Sequence, residues 1–430
     1  MDEERLSALH REGVVRRLTA RILRLTSEAT NGEASEEDGW LNSGVRGIGA
    51  ASLLSDAGHE VPTSLLPAFL TSTLGAPASA LGLIEGISDG LAGAARLGGG
   101  ALADDPNRRR ATAIGGYAST AVLSGLIGVA SNAWQVGLLR AGAWFSRGLR
   151  VPARNALLAD TVPASVYGRA YGFERAMDNL GAIVGPLLAI ALVAAFSTRT
   201  AILLSIIPGL LAVLAIIYAI RHTARPAERK REPIRLRIRP VMKGDLGQLL
   251  GAVSVFELGN IAATLLILRA TDLLEPGRSL DDATQLAIGL YVLYNVAATL
   301  ASVPAGRLAD SATPVRVLTI GVGAFVIAYA GFAFVSASIP LLAIFFILAG
   351  IGIGAVETAE HSAVAMLAPD NLRGSSFGAL AAIQSFGNLI ASSTVGILYV
   401  VISPTVAFLF PVVAMAVALA SLGRLATSRK

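Results

Sequence analysis

Cysteine is absent from this 430-residue chain. Its absence excludes disulfides, thiolate metal sites and cysteine nucleophiles. Lysine is scarce: Lys230, Lys243 and Lys430 are the only three. Charged residues make up 15%, against about 25% in a soluble domain, too few to clothe a water-facing surface. Aromatic residues are 6%, and histidine occurs four times. What abounds is apolar: 53% of residues are hydrophobic, 45 are glycine, and the mean hydropathy is +0.63. Lipid is the solvent that suits this composition. A bilayer core takes about 20–25 apolar residues per helix, so about twelve helices fit with room for tails and loops. Residues 1–43 are charged throughout and lack the apolar core of a signal peptide.

Apolar runs between polar breaks predict an all-α integral membrane protein with twelve transmembrane helices. They lie near 45–70, 79–103, 111–131, 134–161, 169–196, 200–220, 246–270, 284–308, 315–336, 339–367, 374–402 and 405–424. Alternate loops are basic, carrying Arg108–Arg110, Arg169, the stretch Arg221–Lys243, Arg307, Arg316 and Arg373. The other loops are short and nearly uncharged, apart from 271–283, which is net acidic. The positive-inside rule then places both termini and the central loop in the cytoplasm of a multi-pass plasma-membrane protein. The net charge of +5 is thereby spent at a membrane surface, and no nucleic-acid partner is expected.

The expected organisation is a cytoplasmic tail (1–43), a six-helix bundle (44–220), a basic cytoplasmic linker (221–245), a second six-helix bundle (246–425) and a short cytoplasmic tail (426–430). In the first tail, Val14, Val15, Leu18, Ile22 and Leu25 share a helical face, with Arg16, Arg17, Arg21 and Arg24 largely elsewhere. That pattern predicts an amphipathic helix resting on anionic membrane lipid.

The two halves repeat at a single offset of 206 residues (100 to 306). Gly100-Ala101-Leu102-Ala103-Asp104 matches Gly306-Arg307-Leu308-Ala309-Asp310. Pro163, Gly168 and Gly172 match Pro369, Gly374 and Gly378, and Gly181 matches Gly387. Two pseudo-symmetric six-helix bundles follow, and with them a transporter whose site lies at the midplane between rocking halves. The repeated Gly-x-Leu-Ala-Asp closes spans 2 and 8. Its aspartate is placed to accept hydrogen bonds from a neighbouring helix N-terminus or to pair with loop arginines.

These residues resemble the major facilitator superfamily (MFS). The first copy is similar to the superfamily signature between helices 2 and 3, departing at Asp105, Pro106 and Asn107 but keeping Arg108 and Arg109. Leu81–Gly86, Arg150–Arg154, Arg175–Asp178 with Gly181, Gly185-Pro186, and Glu357 with Glu360 resemble a prokaryotic branch of efflux-type permeases. The resemblance implies the MFS fold, with helices 1, 4, 7 and 10 lining a central cavity, and a gating loop built on Gly100, Asp104, Arg108, Arg109, Gly306 and Asp310.

An ionisable residue at the centre of a membrane helix costs about 2.5–3.5 kcal/mol on insertion scales, so each marks a functional candidate. Asp56, His59 and Glu60 share one helix face by their spacing of three and four, as do Glu357, Glu360 and His361. The proton-coupling candidates are Asp56, Glu60, Asp178 and Glu360. The cavity candidates are His59, Arg147, Arg150, Arg154, Asn179, Glu257, Asn260, Tyr291, Asn295, Glu357, His361 and Gln384. Three readings of the charges stand side by side: coupling protons, a bound cation, or structural ion pairs. No resident metal and no cofactor are expected.

Gly82, Gly86, Gly90, Ala94 and Gly98 form a small-residue stripe, expected to pack the two halves together, with a dimer interface as the alternative. Pro186 is expected to kink span 5. An enzyme is not expected: His59-Glu60 opens like a metalloprotease motif, but Thr63 stands where its second histidine belongs. The sequence therefore points to a monomeric secondary transporter working by alternating access, with proton-coupled efflux of a small organic compound. A cation or divalent-metal exporter, or a proton-coupled uptake symporter, is the alternative.

Overall fold

The computed structural model describes residues 39–223 and 233–427. The amphipathic helix expected over Val14–Leu25 and part of the basic linker lie outside the described residues. Within them the chain is helical, with no strand. The first half comprises α1 (Ser43–Ala68), α2 (Ala78–Ala103), α3 (Pro106–Leu126), α4 (Ala133–Ala159), α5 (Tyr167–Ala195) and α6 (Thr198–Arg221). The second comprises α7a (Gly244–Glu257), α7b (Ala263–Leu274), α8 (Leu280–Ser311), α9 (Pro314–Phe334), α10 (Ile339–Leu367), α11 (Arg373–Val401) and α12 (Pro404–Thr427).

Eight of these are long and apolar enough to cross a membrane: α3, α5, α6 and α8 to α12. The other four spans carry clustered charges or are broken. Helix α2 bears Glu85, Asp89 and Arg96, α4 bears four arginines, and α1 bears Asp56, His59 and Glu60. A helix facing a polar interior does not need the hydropathy of one facing lipid on all sides.

Local chemistry sets the helix starts. Asp105 accepts from the backbone N–H groups of Asn107 (2.9 Å) and Arg108 (3.4 Å), with Pro106 at the first helical position. Thr313 caps α9 in the same way ahead of Pro314. The Asp105-Pro106-Asn107 departure from the superfamily signature is thus a helix cap, and it starts α3 earlier than residue 111. Asn42, Asn132, Ser197 and Ser279 cap other helices.

Helix α5 continues through Pro186 without interruption. Two expectations are corrected. First, span 7 is broken, where residues 258–262 leave the helix. There the Asn260 carbonyl accepts from Asn388 Nδ2 (2.9 Å), and the Ala262 N–H donates to Ser392 Oγ (2.8 Å), so side chains of α11 satisfy the freed backbone. Such satisfaction makes a broken helix tolerable at membrane depth. Second, a Cβ added at Gly82, Gly86 or Gly90 would meet nothing within 4 Å, so that stretch of the stripe does not pack the halves.

The halves meet instead at the opposite end, which carries the basic loops. A Cβ at Gly100 would lie 2.7 Å from the Gly374 carbonyl oxygen, and one at Gly168 would lie 2.2 Å from that of Gly306. Glycine is required here because backbone touches backbone. Helices α2 with α11, and α5 with α8, form the two seams.

Candidate functional site

The repeated aspartates lock these seams. Asp104 accepts from the Ser375 N–H (2.8 Å) and Oγ (2.5 Å) at the start of α11. Asp310 accepts from the N–H of Gly168 (2.6 Å) and Arg169 (3.0 Å) at the start of α5, and from Arg169 Nε (2.9 Å). The two contacts obey the repeat, since Arg169 and Ser375 are themselves 206 residues apart. A carboxylate on a helix N-terminus gains from both the free N–H groups and the helix dipole. Burial pushes the Asp104 carboxyl above its ordinary range, while the two Ser375 hydrogen bonds pull it down. Arg109 binds the Ala103 carbonyl (2.8 Å) and Asp160, and Asp160 also pairs with Arg373 at 3.3 Å. Arg108 pairs with Asp105, at the start of its own helix, at 3.5 Å. Asp160, Ser375 and the N-terminal turn of α5 are partners at the seams that the sequence gives no reason to single out.

Asp310→Ala removes three hydrogen bonds, each charge-assisted contact contributing about 1.5–3 kcal/mol net. We expect it to shift the population away from this shut form by at least tenfold. A lengthened distance across the basic end, measured between paired spin labels, would register the shift; an unchanged distance would contradict it.

Above the sealed end lies a cavity of about 490 Å³ between the halves. From the first half its wall includes Asp89, Arg96, Trp144, Arg147, Arg150, Arg154, Arg175 and Asp178. From the second it includes Glu257, Asn260, Val356, Glu357, His361, Gln384 and Phe386. Nine of the sequence candidates are thus on the wall. Asp56, His59, Glu60 and Glu360 lie behind it, and Asn179, Tyr291 and Asn295 are off it. Asn295 donates to the Tyr291 carbonyl (3.0 Å), and Tyr291 stacks on Tyr294.

Helix approach positions the acids. A Cβ at Gly181 would lie 2.8 Å from that of Asp56, and one at Gly185 would lie 2.4 Å from that of Glu60. In the second half, one at Gly387 would lie 2.4 Å from that of Glu257. The repeated glycine thus brings a helix backbone against an acid-bearing helix in each half.

The charges sort into two groups. Glu174, fully buried, accepts from Ser52 Oγ (2.6 Å) and pairs with Arg154 (2.8 Å) and Arg175 (2.7 Å). Asp178 bridges the same arginines at 3.2 and 3.3 Å, and Arg175 reaches Glu357 across the halves at 3.8 Å. This is a compensated network. Removing Glu174 leaves Asp178 alone against both buried guanidinium groups, a charge imbalance of the kind that costs about 3–5 kcal/mol. Glu174→Gln is therefore expected to lower the melting temperature sharply, with little folded protein recovered from membranes; a parent-like melting curve would refute that.

The second group has looser partners. His59 Nδ1 faces the Ser55 carbonyl at 3.0 Å, so it donates there, and Nε2 accepts from Arg147 Nη1 (2.6 Å). Arg147 also reaches Asp56 at 3.5 Å. His361 likewise donates through Nδ1 to the Glu357 carbonyl (2.6 Å), and its ring packs in a cluster with Tyr171 and Phe377. With a guanidinium on its acceptor nitrogen, His59 offers no lone pair to a metal. Among the described residues no three His, Asp or Glu side chains converge as a metal site. Glu360 is fully buried and accepts from Gln384 Nε2 (2.9 Å), with no cation within 4.0 Å among the described residues. Glu257 accepts from Asn260 (3.0 Å).

Comparison with known proteins agrees with this architecture. The chain is 26% identical over 393 residues to an uncharacterized MFS-type transporter of Methanocaldococcus jannaschii, covering 90% of this chain and 96% of the relative. It is 27% identical over 214 residues to the multidrug resistance protein MdtG of Dickeya zeae, covering 46% of this chain and 48% of that one. A bacterial homologue of the iron transporter ferroportin, crystallised in an outward-facing state, superposes with a TM-score of 0.71 at 15% identity. That match covers 89% of this chain and 99% of the other, and it speaks to the fold alone. The family model of the Major Facilitator Superfamily matches residues 48–271 and 249–430. With both halves matched, the repeat seen in both sequence and seams, and a cavity between them, this chain is a member of the major facilitator superfamily, a multi-pass membrane transporter.

Proposed function

We propose that this transporter exports a small organic compound in exchange for protons, by alternating access between bundles 44–220 and 246–425. The observation that carries the reading is Glu360: a buried carboxyl beside the cavity, held by a neutral amide and by no cation. A carboxyl whose surroundings alternate between dry and wet changes its proton affinity as it moves, which is what coupling requires. Asp56 is the counterpart in the first half, within 3.5 Å of Arg147 on the cavity wall. Asp178 is tied to two arginines, and Glu60 sits behind His59; both rank below Glu360 and Asp56 as carriers. The name of the MdtG relative supports efflux.

By the positive-inside rule the basic end is cytoplasmic in the plasma membrane, as are both termini. The conformation is then one shut toward the cytoplasm by the Asp104 and Asp310 contacts. Each chain holds both halves of the cavity, so a monomer is the working unit.

The test uses purified protein in liposomes with a pH-sensitive dye inside and an imposed proton gradient. Proton flux dependent on an organic compound is the expected result. Flux with divalent metals alone, or no flux with a compound that binds, would overturn the proposal.

A further inference from the structure

The cavity's guanidinium groups are not evenly compensated. Arg154 and Arg175 have Glu174 and Asp178, whereas Arg96 and Arg150 have no carboxylate within 4.0 Å among the described residues. Arg96 gives one N–H to the Ala381 carbonyl (2.7 Å), and its buried Nε has no partner. Arg150 gives one to Ser55 Oγ (2.6 Å) and lies 4.0 Å over the Tyr117 ring. Arg147, whose side chain is 26% exposed, donates to His59 Nε2 and reaches Asp56 at 3.5 Å. All three line the cavity. A guanidinium has five N–H donors in a planar fork suited to carboxylate, sulfonate and phosphate oxygens. Spare donors on three fixed forks at the wall of one cavity are what an anionic ligand satisfies.

We infer that the cargo carries an anionic group, a carboxylate, sulfonate or phosphate, docked on Arg96, Arg147 and Arg150. The opposite wall offers Val356, Phe386 and Leu389 to an apolar body. A volume of about 490 Å³ is that of a small-molecule site, so the cargo is a compact amphiphilic acid. Asp89 and Glu257 also line the cavity without a guanidinium within 4.0 Å among the described residues, but each already accepts from a neutral donor, Trp144 Nε1 and Asn260 Nδ2 respectively. The inference rests on the transport reading above and adds the chemistry of the ligand.

The experiment is calorimetric titration of the full chain in nanodiscs with 2-naphthoate, 2-naphthamide and 2-naphthylmethylamine, which share one apolar body. Binding of the acid at least tenfold tighter than the amide or the amine is expected. Arg96→Gln and Arg147→Gln should each weaken naphthoate binding at least tenfold, and Arg147→Lys should restore part of it at an unchanged melting temperature. Equal binding of acid and amide, or preference for the amine, would overturn the inference. Proton flux with a neutral or cationic compound would overturn it while leaving coupled export standing. Naphthoate binding without proton flux would support it and count against coupling instead.

Discussion

Glu360→Gln should reduce proton-coupled flux to that of protein-free vesicles, with the melting temperature within about 2 °C of the parent. The second half of that expectation follows from geometry. Glutamine is nearly isosteric, its amide still pairs with Gln384, and no guanidinium within 4.0 Å is left orphaned. Glu174→Gln is the opposite case, since Arg154 and Arg175 both lean on Glu174. The pair of variants separates a carboxyl that holds the bundle from one that carries protons. Asp56→Asn should also abolish coupling, though with some loss of stability because Asp56 faces Arg147 and His59. Full flux in Glu360→Gln and Asp56→Asn would remove the carrier role from both.

Gly168→Val should cut transport below about a tenth of the parent while leaving the protein folded. A valine Cβ would stand 2.2 Å from the Gly306 carbonyl oxygen, so backbone rather than a flexible side chain must yield. Overpacking costs about 1–3 kcal/mol in ordinary cores, and about 1.4 kcal/mol already changes a population tenfold. The cost falls on the shut form, because this seam joins opposite halves. The chain has no cysteine, so Ser165→Cys with Ser311→Cys gives spin labels free of background at the basic end. Their distance should lengthen in Gly168→Val. Parent-like distances together with parent-like transport would show that the close approach at Gly168 is dispensable.

Much of the fold was legible because lipid imposes simple rules. Twelve spans, their alternation with basic loops and the repeat at 206 residues all follow from hydropathy and spacing. The break in span 7 was hidden, since Leu258 to Ala262 contains one glycine and no proline. Its cause lies in α11, where Asn388 and Ser392 satisfy the freed backbone. The small-residue stripe of α2 misled in part: Gly82, Gly86 and Gly90 face open space, whereas Gly99 and Gly100 make the close contacts. Spacing identifies a helix face but not what stands opposite it.

The sequence by itself determined the solvent, the all-helical class, the twofold repeat and the set of charges within the spans, because each follows from composition or from distance along the chain. Only the tertiary structure decided which charges are compensated. Glu174 and Glu360 read alike as acids within apolar spans, yet one holds two guanidinium groups and the other faces an amide. Asp104 and Asp310 acquire their partners from helices 271 and 142 positions away. Pairing depends on distances of 3–4 Å across helices remote in sequence, and a linear pattern does not encode them.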